Sequence, residues 1–367
     1  MKPEVRGGVT RHRRRLRRAA ADRRRMLLSA AAGLALLLGL LLYLPLPHAD
    51  GGRPAPPDPC AANADLAPPC GAWWGAYVPT GPDGLAASVA TLEQQIGRRL
   101  DLVYTYHDMG TGTDGELLDP AEQQLGRNHL LMLSWESDVW SDSPGGSSVP
   151  LGWAKIAAGD YDATVIDPQA ERVKAYGRTV LIAFDQEMDS RTPTDGTPAQ
   201  FVAAYRHVVD RFRQLGVTNV RWVWTITGYM EHTRLFSEMY PGDAYVDWIA
   251  YDQYNYYGCK RDPDWLSFAQ TELPAYTWLR THISATKPLM LAEFSTAVDQ
   301  ADPALQQQWY QQVPQVLKDL LPGIRAVVQW DSSVPGPDCD LSLDTAPALA
   351  GFTGAGHDPY LEQPLPW

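Results

Sequence analysis

The sequence has 367 residues, 45% of them hydrophobic, which is enough to bury a large core. Its formal net charge of −12 is unevenly distributed along the chain. Residues 51–367 are strongly acidic, with 20 basic residues against 40 acidic ones. A domain with this negative excess is repelled by phosphate backbones, so the composition excludes nucleic acid as a partner. The basic excess is confined to the N-terminal end of the chain.

The N-terminus combines a basic tail with an apolar segment. Residues 1–25 carry eleven Lys and Arg side chains, and residues 26–44 contain no charge. About 20 apolar residues span a bilayer, and a basic flank stays cytoplasmic. We therefore predict a cytoplasmic tail at 1–25 and a transmembrane signal-anchor at 26–46 of a single-pass cell-membrane protein with an extracellular domain. The alternative is a cleaved signal peptide and a secreted protein.

The segment after the apolar stretch is rich in Pro, Ala and Gly. Residues 47–72 have the composition of an extended spacer, which predicts a linker between the membrane and the domain at 73–367. We expect this domain to act as a monomer.

Short apolar runs alternate with amphipathic stretches from Trp73 onward. Eight runs are predicted as strands: Trp74–Val78, Leu102–Tyr106, Leu130–Ser134, Thr179–Phe184, Val220–Trp224, Trp248–Tyr251, Leu289–Ala292 and Ala326–Gln329. Four stretches are predicted as helices: Leu85–Ile96, Ala199–Leu215, Asp264–His282 and Pro303–Leu320. Alternating elements predict an α/β fold with a parallel sheet, and eight repeats favour a (β/α)8 TIM barrel. An open doubly wound sheet is the alternative.

All four cysteines follow the apolar segment. An even number in an exported domain favours disulfides, and three pairings exist. We favour Cys60 with Cys70 as a local loop, and Cys259 with Cys339 between two loops of the catalytic face. A zinc site is disfavoured because no Cys-x-x-Cys or neighbouring His pattern accompanies them.

Two glutamates stand where apolar runs stop. Glu187 follows the fourth predicted strand, and Glu293 follows the seventh. The C-terminal ends of the strands form the catalytic face of a β/α barrel. Thirteen Trp and seventeen Tyr against seven Phe supply polar-edged aromatic rings, which suit the C–H faces of sugars. Two carboxylates on such a face suggest glycoside hydrolysis.

Five segments occur in an order typical of a known family: Trp74–Pro79, Gln186–Met188, Arg221–Trp224, Tyr240–Asn255 and Lys287–Glu293. Together they resemble glycoside hydrolase family 26, the β-mannanase group, which also contains β-1,3-xylanases and mixed-linkage glucanases. The resemblance covers roughly 73–330, and Tyr-Pro-Gly-Asp…Asp-Trp…Asp-x-Tyr-Asn is its most specific part.

The resemblance implies a (β/α)8 barrel and a retaining mechanism. It makes Glu187 the acid/base, with a raised pKa, and Glu293 the ionised nucleophile held by donors such as the Tyr254 hydroxyl. Retention requires the two carboxyl groups about 5–5.5 Å apart. Read alone, a glutamate at a strand end is more often a loop anchor, and Tyr254 a core tyrosine.

Further substrate contacts follow from the same resemblance. His107 would touch the sugar before the scissile bond, and Trp330 would stack under it. Trp135 and Trp224 are either further platforms or caps of the barrel core. As a lone histidine, His107 is equally consistent with a structural role.

The chain departs from the family around the acid. Gln186 and Asp189 stand where His and Asn are usual, Ala183 replaces an arginine, and Arg191 lies where a tryptophan is expected. Gln186 can still donate a hydrogen bond to a sugar. Because both glutamates are kept, the pattern favours an active hydrolase with an altered substrate.

The sequence thus predicts a membrane-tethered, extracellular, retaining endo-β-glycosidase that acts on a β-linked polysaccharide. One alternative is a catalytically inert carbohydrate-binding barrel, and another is a hydrolase that trims the host's own exopolysaccharide. No cofactor or metal is required, since the chemistry needs two carboxylates and water. Asp338 and Asp340 could bind calcium, but a solvated loop fits them better.

Overall fold

The computed structural model describes residues 59–141, 147–259, 263–333 and 339–367. The predicted tail at 1–25 and signal-anchor at 26–46 lie outside these residues, as do the first part of the predicted linker and Asp338. Among the residues that the structure describes, no helix has both the length and the apolar character needed to cross a bilayer.

Eight parallel strands close into a barrel, which confirms the predicted (β/α)8 fold. They are β1 (Trp73–Tyr77), β2 (Leu102–His107), β3 (Leu130–Trp135), β4 (Val180–Phe184), β5 (Val220–Ile226), β6 (Trp248–Asn255), β7 (Leu289–Thr296) and β8 (Ile324–Trp330). The first strand pairs with the last, with Trp73 opposite Ala326 and Tyr77 opposite Trp330. This closure rules out the open doubly wound sheet.

Helices connect the strands around the outside. Their bounds are Leu85–Ile96, Pro120–Leu125, Trp153–Ala157, Asp167–Tyr176, Met188–Arg191, Pro198–Gln214, Thr233–Glu238, Phe268–His282, Ala304–Gln311, Val313–Asp319 and Ala346–Gly356. The four predicted helices are present, the last one divided between two helices. The connection from β5 to β6 contains a helix of only six residues, too short to show a clear amphipathic pattern in the sequence.

Alternate side chains of each strand belong to two separate cores. In β3, Leu130 and Met132 point into the barrel, whereas Leu131, Leu133 and Trp135 pack in the layer between strands and helices. This two-sided burial explains why the strands appear as continuous apolar runs in the sequence. It also fixes which side chains can reach the open end of the barrel.

The last part of the predicted spacer packs against the barrel instead of extending. Leu66 and Ala67 are buried among the interior residues of the barrel. The Trp73 indole donates a hydrogen bond to Leu66 O at 2.7 Å, and the Trp248 indole donates to Asp65 O at 2.6 Å. Trp73 and Trp248 begin their strands, so the segment that contains Asp65, Leu66 and Ala67 covers the N-terminal end of the barrel. Apolar side chains inside a Pro-rich stretch provide this contact.

Both favoured disulfides are present. Cys60 bonds Cys70 with Cα atoms 5.1 Å apart, and Cys259 bonds Cys339 with Cα atoms 5.0 Å apart. Cys259 and Cys339 are buried with Tyr254, next to the C-terminal end of the barrel.

Candidate active site

A β-bulge in β7 turns Glu293 toward the barrel axis. In the pairing with β6, Tyr251 lies opposite Leu291 but Asp252 lies opposite Glu293, so Ala292 is the extra residue. The bulge places Glu293 on the inward face, although simple alternation would place it with Leu291 on the outward face. The strand continues past Glu293 to Thr296, further than the sequence predicted.

Two tyrosine hydroxyls hold the Glu293 carboxylate. Tyr106 donates to Oε1 at 2.6 Å, and Tyr254 donates to Oε2. Burial raises the pKa of Glu293, the two tyrosine hydrogen bonds lower it, and the charge of Glu136 raises it further. The net direction is upward from the ordinary value. Since the donors favour the ionised form, they offset part of the cost of burying this carboxylate.

Asp252 lies directly beside Glu293 in the sheet. It is 1% exposed, and burial, followed by the charges of Glu293 and Glu187, raises its pKa well above the ordinary value. This upward shift favours the neutral form of Asp252, which lessens the negative charge beside Glu293.

Glu187 lies on a tight turn beyond the end of β4. Both Asp185 and Glu187 have φ near 53°, a left-handed conformation that L residues rarely adopt. The Glu187 amide donates to Thr225 O at 3.1 Å, and Glu187 begins the helix Met188–Arg191. Its side chain is half-buried. The charges of Glu187 and Glu293 both act on Asp252 and on Tyr256, so the two predicted carboxylates share one site.

Gln186 belongs to a polar network beneath this turn. Ser134 donates to its side-chain oxygen, and its amide nitrogen donates to Glu136 Oε1 at 2.5 Å. Glu136 also accepts from the Trp140 indole at 2.9 Å and lies 3.3 Å from Arg191. Gln186 is 5% exposed, so it positions Glu136 more than it contacts a sugar.

Arg191 links several carboxylates behind the turn. Its guanidinium lies 3.6 Å from Asp185, 3.7 Å from Asp138 and 3.3 Å from Glu136, and it donates to Gln186 O at 3.2 Å. Burial opposes the charge of Arg191, but Asp185 and the neighbouring carboxylates raise its pKa. A buried cation is tolerated here because it is surrounded by anions.

Asp185 fixes the strained turn to β3 and to a helix. The Ser137 amide donates to Asp185 at 3.0 Å, the Ser137 hydroxyl at 2.8 Å and the Trp153 indole at 2.5 Å. The side chain is fully buried. These bonds hold the backbone conformation that presents Glu187 at the open end of the barrel.

Asp189 lies in the helix that follows Glu187 and binds the loop after β5. It is 2% exposed and accepts hydrogen bonds from Thr227 and His232. The Asp189 carboxylate is therefore occupied by these partners.

An aromatic cavity of about 700 Å³ opens on the side of β1, β2, β3 and β8. Tyr77, Tyr106, Glu136, Trp140 and Trp330 are among its lining residues. Trp330 is half-buried and stacks on Tyr77 with ring centroids 6.2 Å apart. Its partial exposure is consistent with the predicted stacking platform.

The structure gives His107 a structural environment. It is 6% exposed, its Nε2 lies 2.8 Å from Glu122 Oε1, and its Nδ1 lies 3.1 Å from Asp114 O. Burial lowers the pKa of His107, but the Glu122 carboxylate reverses this, so the pKa is raised overall. Both ring nitrogens thus have protein partners, but His107 also lines the aromatic cavity with Trp330, so its contact with a sugar stays a prediction.

Trp135 and Trp224 are wrong as sugar platforms. Both are 0% exposed and pack in the outer core, and the Trp224 indole donates to Met239 O at 3.1 Å. The alternative reading, in which they complete the core, describes them correctly. Strand alternation contained this signal, since Trp135 shares its face with Leu131 and Leu133.

Sequence reasoning missed Glu136, Arg191 in its ion-pairing role, and His232. Glu136 follows β3 directly, and its position just past a strand end was the available signal. Arg191 ends the four-residue helix Met188–Arg191, and His232 ends the three-residue 3-10 helix Met230–His232. Both segments are too short for periodicity to indicate a side chain's partner. In the part of the chain that the structure describes, no group of three His, Cys, Asp or Glu side chains could hold a metal ion.

Residues 190–271 match the sequence profile of glycosyl hydrolase family 26. This segment begins after Glu187 and ends before Glu293. The chain is 31% identical over 245 residues to endoglucanase H of Acetivibrio thermocellus, covering 61% of this chain and 24% of the relative. It is 28% identical over 203 residues to a β-1,3-xylanase of an Alcaligenes species, covering 48% and 40% respectively. The chain thus spans well under half the length of these relatives.

Solved structures share the fold at lower sequence identity. A β-mannanase from a symbiotic protist of the termite Reticulitermes speratus has a TM-score of 0.55 at 17% identity, over 79% of this chain and 88% of that one. Mannanase man26 of Bacillus subtilis has a TM-score of 0.54 at 14% identity, over 82% and 92%. The predicted resemblance is confirmed: residues 190–271 match glycosyl hydrolase family 26 in sequence, and the barrel shares its fold with the solved structures.

Proposed function

We propose that this protein is a retaining glycoside hydrolase that cleaves a β-linked glycan, with Glu293 as nucleophile and Glu187 as acid/base. The observation that carries the proposal is the inward-turned Glu293, buried, held by two tyrosine hydroxyls and paired in the sheet with the buried Asp252. A purely structural carboxylate would not require a bulge that aims it at the open end of the barrel.

The reaction would proceed in two displacements. A Glu293 oxygen attacks the anomeric carbon while Glu187 donates its proton to the leaving oxygen, which breaks the glycosidic bond and forms a glycosyl ester. Glu187, now a carboxylate, removes a proton from water, whose oxygen attacks the same carbon and releases Glu293. The half-buried position of Glu187 suits this exchange of protons with substrate and water.

The substrate class follows from relatives and from charge. The relatives named above include an endoglucanase, a β-1,3-xylanase and β-mannanases, and these names support a polysaccharide substrate for this chain. A site containing Glu136, Glu187 and Glu293 disfavours acidic polymers through charge repulsion. Because Gln186 and Asp189 depart from the family pattern, we propose a β-linked polysaccharide other than plain β-1,4-mannan, with endo cleavage.

We further propose that the protein acts as a membrane-tethered monomer on the outer surface of the cell. The support is the basic tail and apolar segment of the sequence. Protease treatment of intact cells tests this: the domain is expected to be digested, while an epitope placed before residue 26 survives. Protection of the domain, or its recovery in the medium, would contradict tethering outside the cell.

The enzymatic proposal is tested by incubating the full-length protein with β-1,4-mannan, mixed-linkage β-glucan, β-1,3-xylan and the host's exopolysaccharide. Glu293→Ala is run alongside, with Glu238→Ala as the control, because Glu238 is exposed and forms an ion pair with Arg234 on its own helix. Cleavage by wild type and by Glu238→Ala, and none by Glu293→Ala, supports the proposal. Equal activity of Glu293→Ala, or binding without cleavage by wild type, would overturn it.

A further inference from the structure

Asp189 and His232 form a pair that the proposed chemistry leaves unused. Asp189 accepts from Thr227 N at 3.0 Å, from Thr227 Oγ1 at 2.5 Å and from His232 Nδ1 at 2.7 Å. The Asp189 side chain is fully buried, whereas the His232 side chain is 30% exposed. A buried carboxylate thus fixes an imidazole whose opposite edge, with Nε2, reaches solvent.

This pair is attached to the turn that carries Glu187. The Glu187 amide donates to Thr225 O, and two residues later Asp189 accepts from Thr227. The turn after β4 and the loop after β5 are therefore bonded at two successive points. His232 is positioned relative to the proton donor by backbone and side-chain hydrogen bonds, which restrict its motion.

His232 continues into a row of aromatic rings. The rings of His232 and Tyr229 lie 5.9 Å apart, and Tyr229 is hydrogen-bonded to Tyr256. Tyr256 in turn lies within the electrostatic reach of both Glu187 and Glu293. Tyr229, Tyr256 and His232 are all partly exposed, so they form a wall along the loops after β5 and β6.

The wall and the aromatic cavity lie on opposite sides of the two glutamates. Around the barrel, β5 and β6 separate β4 from β7 on one side, while β8, β1, β2 and β3 separate them on the other. The cavity with Trp330 occupies the second side, where the attacked sugar would stack. A glycan that crosses the pair must then place its leaving sugar against Tyr229, His232 and Tyr256.

We propose that His232, held by Asp189, binds a hydroxyl of the leaving sugar, and that Tyr229 and Tyr256 complete this side of the groove. The inference rests on the proposed hydrolase function. With Nδ1 bonded to Asp189, Nε2 accepts a hydrogen bond from the sugar when the ring is neutral and donates one when it is protonated. The tyrosine rings supply polar-edged surfaces for the sugar's C–H groups.

The test compares two substrates that share the attacked sugar but differ in leaving group. One is an oligosaccharide of the polymer that wild type cleaves best, and the other is the corresponding 2,4-dinitrophenyl glycoside. His232→Ala is expected to lower kcat/KM for the oligosaccharide about tenfold, the effect of losing one hydrogen bond of about 1.4 kcal/mol. Hydrolysis of the dinitrophenyl glycoside is expected to stay at the wild-type rate, because its leaving group carries no sugar.

His207→Ala is the matched control, since His207 also bonds a carboxylate, Asp162, at 2.7 Å and is 25% exposed, but lies on the helix Pro198–Gln214. It should leave both substrates unaffected. His232→Gln, which keeps a donor and an acceptor, should retain more oligosaccharide activity than His232→Ala.

The outcomes separate the inference from the function. Equal losses on both substrates would show a structural role for His232 and overturn the inference, as would unchanged activity of His232→Ala on the oligosaccharide. If wild type cleaves none of the polymers, the proposed function fails, and the inference fails with it.

Discussion

The two carboxylates of the site are held in opposite ways. Glu293 lies within a strand, 9% exposed and bound by two tyrosine hydroxyls. Glu187 lies on a turn three residues beyond a strand, half-buried, and depends on Asp185 and Arg191 behind it. A nucleophile must stay ionised in one orientation, whereas an acid/base must exchange protons with substrate and water. The structure gives Glu293 a rigid, buried support and gives Glu187 a more exposed position.

Removal of the proposed acid, Glu187, is expected to have the largest effect. Glu187→Ala is expected to lower kcat/KM for a polysaccharide by about 10²–10⁴-fold, the usual contribution of general acid catalysis. A dinitrophenyl glycoside needs no protonation of its leaving group, so formation of its glycosyl ester should be nearly unchanged. Pre-steady-state release of dinitrophenol measures this step. A similar loss for both substrates would show that Glu187 is not the acid.

Removal of Arg191 tests how the turn that carries Glu187 is supported. Arg191→Ala leaves the buried Asp185 without its cation. The negative charges of Asp185, Asp138 and Glu136 then repel one another without compensation. We expect the free energy of unfolding to fall by about 3–5 kcal/mol. Denaturant titration measures it, with Arg234→Ala as the control.

Arg234 forms an exposed pair with Glu238, so its removal should cost less than about 1 kcal/mol. Equal, small losses for Arg191→Ala and Arg234→Ala would mean that the carboxylate cluster does not depend on its cation.

The two disulfides allow the region around Tyr254 and Glu293 to be compared with the N-terminal end of the barrel. The Cys259–Cys339 bond spans 80 residues and packs with Tyr254, while Cys60–Cys70 spans 10. Chain entropy predicts a loss of about 4.5 kcal/mol for the paired Cys→Ser change at the first and about 2.8 kcal/mol at the second. Thermal unfolding of both double variants measures the order. The reverse order would contradict this account of the loop behind Tyr254.

Removal of one hydrogen bond to Glu293 is expected to have a smaller, pH-dependent effect on activity. Tyr254→Phe removes a donor that favours the ionised Glu293, so the pKa of Glu293 rises further above its ordinary value. Activity requires ionised Glu293 and is lost as pH falls through that pKa. The acidic limb of kcat/KM is therefore expected to move to higher pH, with about a tenfold loss at the optimum.

Tyr161→Phe provides the control, since the Tyr161 hydroxyl bonds only Leu151 O, at 3.2 Å, among the partners that the structure records. An acidic limb that stays in place in Tyr254→Phe would show that this hydroxyl does not set the ionisation of Glu293.

The strands were predictable because each apolar run depends on local sequence, and their alternation with helices favoured the closed barrel that the structure has. Apolar runs such as Leu130–Ser134 reveal buried strands regardless of their neighbours. The position of Glu293 was predicted for an incomplete reason, because the bulge at Ala292, and not a strand end, turns it inward. A bulge depends on pairing with neighbouring strands, which one sequence does not show.

The supporting contacts could not be predicted for a related reason. Glu122 satisfies His107, and Asp189 binds His232, through pairs separated by 15 and 43 residues. Such partners are brought together only by the closed barrel. The burial of Trp135 could have been predicted from strand alternation, since it shares a face with Leu131 and Leu133.

The central claim is that Glu293 forms the covalent intermediate. The most direct measurement is mass spectrometry after incubation with a 2-deoxy-2-fluoro glycoside of the sugar that wild type cleaves, since this reagent forms a long-lived glycosyl ester. The account predicts one added glycosyl group on the peptide that contains Glu293, and none in Glu293→Ala. Labelling of Glu187, or cleavage of the polymer without any labelled nucleophile, would contradict it.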